Sequence, residues 1–160
     1  MKTPSERENV LTIWKTSFEK ISKMNEFPST ILELLMLPPT ISNNAIFFTY
    51  ENPTGEINQI RSLIEKYVFP EVKSQLGETL FNQLEARIPT IIHSTFARYK
   101  GRSPNEKKLR DQLTNLFTTW EPITFHSNSI SLAIEYLPYM HIPYDETTRS
   151  FEIILENQNK

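Results

Sequence analysis

At Pro122 the hydrophobic pattern of this chain changes period, and the change limits the folds open to it. Ser129-Ile-Ser-Leu-Ala-Ile-Glu-Tyr136 alternates small or polar with apolar residues without a slip, after about 120 residues patterned mainly for helices. Alternation puts Ile130, Leu132, Ile134 and Tyr136 on one face of a strand, and such a face must be covered. The spacing therefore predicts an α+β fold with about five or six helices packed on a small antiparallel sheet. That sheet is a C-terminal three-stranded meander, with residues 45–51 as a candidate fourth strand.

The helical part has its own punctuation. Thr3-Pro4-Ser5-Glu6 reads as a capping box with proline at the first helical position, and Val10, Trp14, Phe18 and Ile21 follow as one stripe. Pro28 to Leu37 reads as a short helix, apolar nearly all round and stopped by Pro38-Pro39. Ile57, Ile60, Leu63, Ile64, Tyr67 and Val68 mark a helix that Pro70 ends or kinks, and Leu80, Phe81, Leu84 and Ile88 mark another. Ile91, Ile92, Thr95, Phe96 and Tyr99 then precede Gly101, and Ser103-Pro104-Asn105-Glu106 repeats the capping pattern before Leu109, Leu113, Leu116, Phe117 and Trp120. Residues 89–120 are thus expected to form a helical hairpin, with the Leu109 to Trp120 stripe as the support for the strands.

Ala45 to Glu51 is rich in strand formers and is followed by the turn cluster Asn52-Pro53-Thr54-Gly55. Ile123 and Phe125 alternate with Thr124 and His126, Ser127-Asn128 suits a tight turn, and Phe151, Ile153 and Leu155 form the last alternating run. No internal repeat, linker or composition break divides the chain, so residues 1–160 read as a single α+β domain. A chain of this length buries roughly two-thirds of its unfolded surface without needing a covalent staple.

Composition excludes several chemistries. There is no cysteine, hence no disulfide, thiolate metal site or cysteine nucleophile, and the three glycines do not form a phosphate-cradling loop. The longest apolar run, Ile31 to Leu37, holds Glu33 and is too short to span a bilayer, so an intracellular protein, cytoplasmic or nuclear, without membrane contact is the expectation. The formal net charge of −2 gives no support to a general affinity for polyanions.

Two surfaces remain. Between Arg98 and Arg110 lie six basic residues, Arg98, Lys100, Arg102, Lys107, Lys108 and Arg110, against Glu106 alone, so the rest of the chain holds 11 basic and 18 acidic residues. Lys107 and Lys108 sit in a first helical turn, where the macrodipole disfavours them by a few tenths of a kcal/mol. A bound anion converts that conflict into a site, whereas a solvated basic turn leaves it as a local cost. Phe96 and Tyr99 interleave with these charges as a single-strand nucleic-acid groove requires, and their spacing equally fits a core stripe. The second surface is the loop Pro138 to Glu146, longer than an ordinary hairpin connection. Its Tyr139, Met140, His141 and Tyr144 suit either an interface or a cover for the sheet edge.

His126, Glu135, His141 and Asp145 are the residues from which a small, metal-dependent enzyme would have to be built, and no HExxH-like spacing brings them together. His93 reads as a helix-surface or core histidine. The sequence thus points to a non-enzymatic interaction or regulatory protein that needs no cofactor. It is expected to bind an acidic protein surface, a nucleic-acid backbone or a second copy of itself through the basic turn and the aromatic loop.

Overall fold

In the computed structural model, which describes residues 4–42, 45–98, 105–133 and 149–155, helices and antiparallel strands combine in an α+β fold. The described residues hold four helices. These are α1 (Pro4–Ser22), α2 (Glu56–Leu63 continuing through Ile64–Val68 and Phe69–Leu76), α3 (Glu78–Gln83) and α4 (Glu106–Leu116). The strands are β1 (Leu32–Met36), β2 (Thr40–Ile41), β3 (Ala45–Glu51), β4 (Ile92–Arg98), β5 (Ile123–Ser127), β6 (Ser129–Ala133) and β7 (Arg149–Ile154). They fall into two compact units. A helical unit is drawn from the described residues of Met1–Leu32, Gly55–Ile88 and Ser127–Lys160, and a sheet unit from those of Glu33–Thr54 and Pro89–His126.

The expectation of five or six helices is corrected to four by two segments that turn out to be strands. Pro28 to Leu37 contains β1: a short apolar run bounded by prolines has the same hydrophobic signature in a buried helix and a buried strand. The period of two shows in its burial, with Leu32 and Leu34 inside. The first arm of the expected helical hairpin is β4, where the β-branched Ile92 and Thr95 and the aromatic Phe96 favour extended backbone. The second arm is α4, whose described residues run from Glu106 behind Asn105, while the Ser103-Pro104 pair of the capping box lies outside the described residues.

The helical unit is built on α1 and α2. Ile13, Phe18 and Ile21 on one helix and Ile60, Leu63, Val68 and Val72 on the other share a core with Phe27, Leu32 and Leu155. Trp14 sets its ring edge-on to Phe69, which meets Phe81 of α3 in the same way. Pro70 neither ends α2 nor interrupts its burial. The residue lacks an N–H and its ring clashes with the carbonyl four residues back, and the turn before it opens into a π-helical stretch, Ile64–Val68, in which the Phe69 N–H reaches the Ile64 carbonyl. Lys20 of α1 also meets Glu71 of α2 at 2.9 Å, which with the Gln75 amide holds Glu71 below the usual carboxylate range. That small, salt-screened contribution is present at neutral pH and is lost as the pH falls through the lowered value.

Only two of the three C-terminal strands pair with each other. β6 and β7 form an antiparallel pair in the register Ser129↔Ile154, Ile130↔Ile153 and Leu132↔Phe151. The Asn128 carbonyl accepts a bond from the Leu155 N–H, which prolongs this ladder instead of closing a turn back to β5. Ile130 and Ile153 pack on the α1–α2 core, which gives these strands the support expected of the Leu109 to Trp120 stripe. β5 pairs with β1 in the other sheet, and the expected three-stranded meander is corrected accordingly.

The sheet unit is organised by β3, the strand expected at residues 45–51. On one side it pairs antiparallel with β1 (Met36↔Tyr50) and β2 (Thr40↔Phe47), on the other with β4 from Ala45↔Arg98 to Tyr50↔Ile92. β1 and β2 run in succession along the same side of β3, separated because Pro38 and Pro39 have no N–H for the ladder.

Each unit contains one of the two tryptophans, Trp14 and Trp120, so Trp120→Phe leaves a chain whose indole fluorescence reports the helical unit alone. In that background, Ile21→Ala, at a side chain 1% exposed, should lower the stability read by urea unfolding by about 3 kcal/mol. Ile154→Ala, in the same unit at a side chain 58% exposed, should stay within about 0.5 kcal/mol.

Candidate functional site

The sheet unit buries little of itself. Leu34, Ala45 and Ile46 are inside, whereas Phe96 is 71% exposed and Ile91, Leu116, Ile123 and Phe125 also stand in solvent. Several exposed apolar groups gathered in one small unit are the surface signal that single scattered ones are not.

One face of the sheet gathers aromatic rings. Phe48 and Tyr50, two residues apart on β3, point to the same side. Phe96 of β4 and Trp120 lie 6.0 and 5.6 Å from the Phe48 ring, and Phe117, at the end of α4, stands 5.9 Å from Trp120. Phe125 of β5 meets Tyr50 edge-on at 5.5 Å, while the Tyr50 hydroxyl shares a hydrogen bond with Ser94 Oγ. Most of these rings pack edge against face, the arrangement their quadrupoles favour, and so lock one another into a continuous surface. The buried Trp120 indole N–H finds no acceptor among the described residues.

The outward tilt of Phe96 has a local cause. The β3–β4 register shifts between Ile46 and Phe47, so that Ala97 and Thr95 are the partners there and Phe96 is the extra, bulged residue. A bulge releases a side chain from the regular alternation and re-aims it. On the opposite face, Phe47 meets the ring of His93 edge-on at 6.0 Å.

Of the basic residues expected to bind a partner, Arg98 ends β4, and Lys107 and Lys108 are exposed in the first turn of α4, with Arg110 half-buried one turn on. All four belong to the sheet unit. That unit carries six basic and five acidic residues in sequence, a formal +1, which leaves 11 basic and 14 acidic, a formal −3, for the remainder. Lys100, Arg102 and the loop residues Tyr139, Met140, His141 and Tyr144 lie outside the described residues. The basic stretch therefore joins a strand to a helix, not two helices.

His126 and Glu33 approach to 3.7 Å with both side chains well exposed. Among the described residues no group of three or more His, Asp or Glu converges as metal ligands would, and Glu135, His141 and Asp145 fall outside them. His93 is an exposed strand residue, not a helix-surface or core one. No helix among the described residues is long and apolar enough to cross a membrane.

The aromatic face was not legible as a unit in the sequence. Phe96, Phe117 and Trp120 have helical spacing, which assigned them to a core stripe. The signals pointing the other way were the β-branched residues from Thr90 to Thr95 and the alternation of Phe48 with Tyr50 and Ile123 with Phe125. No protein-family model, curated protein or solved structure matches this chain.

Proposed function

We propose that this is a non-enzymatic interaction protein that takes an acidic, partly apolar protein segment on the aromatic face of its sheet unit. The observation that carries the reading is Phe96, 71% exposed and in ring contact with Phe48 on a face that also holds Tyr50, Trp120 and Phe125. Interfaces between proteins are enriched in such rings and draw most of their energy from a few of them. Arg98, Lys107 and Lys108 belong to the same unit, which favours acidic groups around the apolar contact.

A nucleic-acid strand is the other polyanion this charge would suit. Base stacking needs ring faces open to solvent, whereas here Phe96, Tyr50 and Phe125 stand edge-to-face with their neighbours. The exposed aliphatic groups Leu116 and Ile123 add area that a protein partner uses and a base does not.

The surface itself is tested with an environment-sensitive apolar dye such as anilinonaphthalene sulfonate. Phe96→Ser with Leu116→Ser should cut the dye fluorescence of the folded chain severalfold while the urea midpoint stays nearly fixed. Unchanged fluorescence would mean that these side chains form no apolar site.

The partner class is tested with a photo-crosslinking residue at position 96 of the full chain in an extract of its native host. The expected adduct is a discrete protein band competed by unlabelled wild-type chain, not by the Leu116→Asp variant, and weakened by salt. An adduct removed by nuclease would overturn the protein reading in favour of nucleic acid. No competed adduct at all would remove the interaction surface.

A further inference from the structure

We infer that the outer edge of β4 is a self-association edge, which pairs antiparallel with β4 of a second copy and joins two sheet units into one sheet across a two-fold axis. This goes beyond the binding role of the aromatic face, because it concerns the strand's edge and not that face.

Among the described residues β4 pairs only with β3, so between Ile92 and Ala97 its other side presents a row of backbone N–H and C=O groups. What satisfies such a row at strand spacing is another extended strand. Four consecutive residues, His93 to Phe96, are exposed, and in a strand consecutive residues face opposite ways, so both faces are open here and neither screens the edge.

Natural edge strands are blunted by charge, proline or brevity. β4 runs to seven residues, from Ile92 to Ala97 it has no Lys, Arg, Asp, Glu or proline, and its one such charge is Arg98 at the far end. Its own copy therefore approaches it without like-charge repulsion, which a neutral edge allows and a lysine-bearing one does not. Of the other outer strands of the sheet, β2 is only two residues long and β5 has five residues and follows Glu121-Pro122, so each carries protection that β4 lacks.

The bulge at Phe96 sets the position of the axis. Between Thr95 and Ile92 the register against β3 is regular, from Phe47↔Thr95 to Tyr50↔Ile92, and this is the stretch straight enough to accept a partner. In a two-fold antiparallel pair one residue faces its own copy, and here that residue is His93 or Ser94.

The chain has no cysteine of its own, so single cysteines at positions 92 through 96 form a clean scan. Facing residues of antiparallel strands lie about 4.5 to 5.5 Å apart at Cα, within the span of a disulfide. Under mild oxidation, covalent dimer should peak sharply at His93→Cys or Ser94→Cys and fall severalfold on either side. Sedimentation of the unmodified chain should give a dimer at high micromolar concentration. Thr95→Lys should return it to monomer with unchanged circular dichroism, whereas Leu116→Asp, which alters the apolar surface, should leave the dimer intact. A monomer at every concentration, a flat crosslinking profile, or species that keep growing beyond the dimer as β4-to-β5 pairing would produce, would each overturn the inference.

Discussion

The sheet unit depends on the pairing of β3 with β4, two strands separated in sequence by the whole of α2 and α3. β3 pairs with three other strands, β1, β2 and β4, and it places Phe48 and Tyr50 where rings from β4, β5 and the end of α4 converge. Closing that long excursion costs chain entropy, which grows only slowly with loop length and is easily offset once the ladder and the ring contacts form together. Without the β3–β4 ladder, Phe96 has no face to share.

Proline shapes the two units in different ways, each set by the missing N–H and the fixed φ. Pro38-Pro39 divides the segment that runs along one side of β3 into β1 and β2 without ending the pairing with β3, since the Leu37 N–H still reaches the Thr49 carbonyl. Pro70 sits inside a helix that continues to Leu76, and the π turn before it accommodates the ring while Val68 and Val72 stay fully buried. Burial on both sides of the proline outweighs the lost hydrogen bond, as the strong apolar periodicity from Ile57 to Val72 requires.

These details show where residue patterns suffice and where they do not. The starts of α1 and α2, the strand at Ala45–Glu51 and the alternation in β6 follow from local chemistry: a proline at the first helical position, a turn cluster or a strict period of two. Leu32–Met36 and Ile92–Arg98 do not, because a short run such as Ile91, Ile92, Thr95 and Phe96 satisfies helical spacing and strand propensity alike, and the choice falls to a partner far along the chain. The same ambiguity hid the aromatic face, whose members come from β3, β4, β5 and the end of α4. The basic residues were legible as a cluster, but their setting was not: with β4 extended, Arg98 ends a strand in place of a helix.

The interleaving of the units sets an order on their completion during synthesis. Every residue of the sheet unit precedes Ser127, so its β3–β4 ladder and β5 exist before β6 and β7 have been made. The helical unit, by contrast, contains the first helix and yet needs Ile130, Ile153 and Leu155 to cover the α1–α2 core. As the chain emerges from the ribosome, α1 is made before every strand of the sheet yet belongs to the unit finished after it, and α1 and α2 wait with part of their apolar surface uncovered for more than fifty residues after α2 ends. A chaperone that shields exposed apolar helices would therefore act on the amino-terminal half of this chain after the sheet unit behind it has been synthesised.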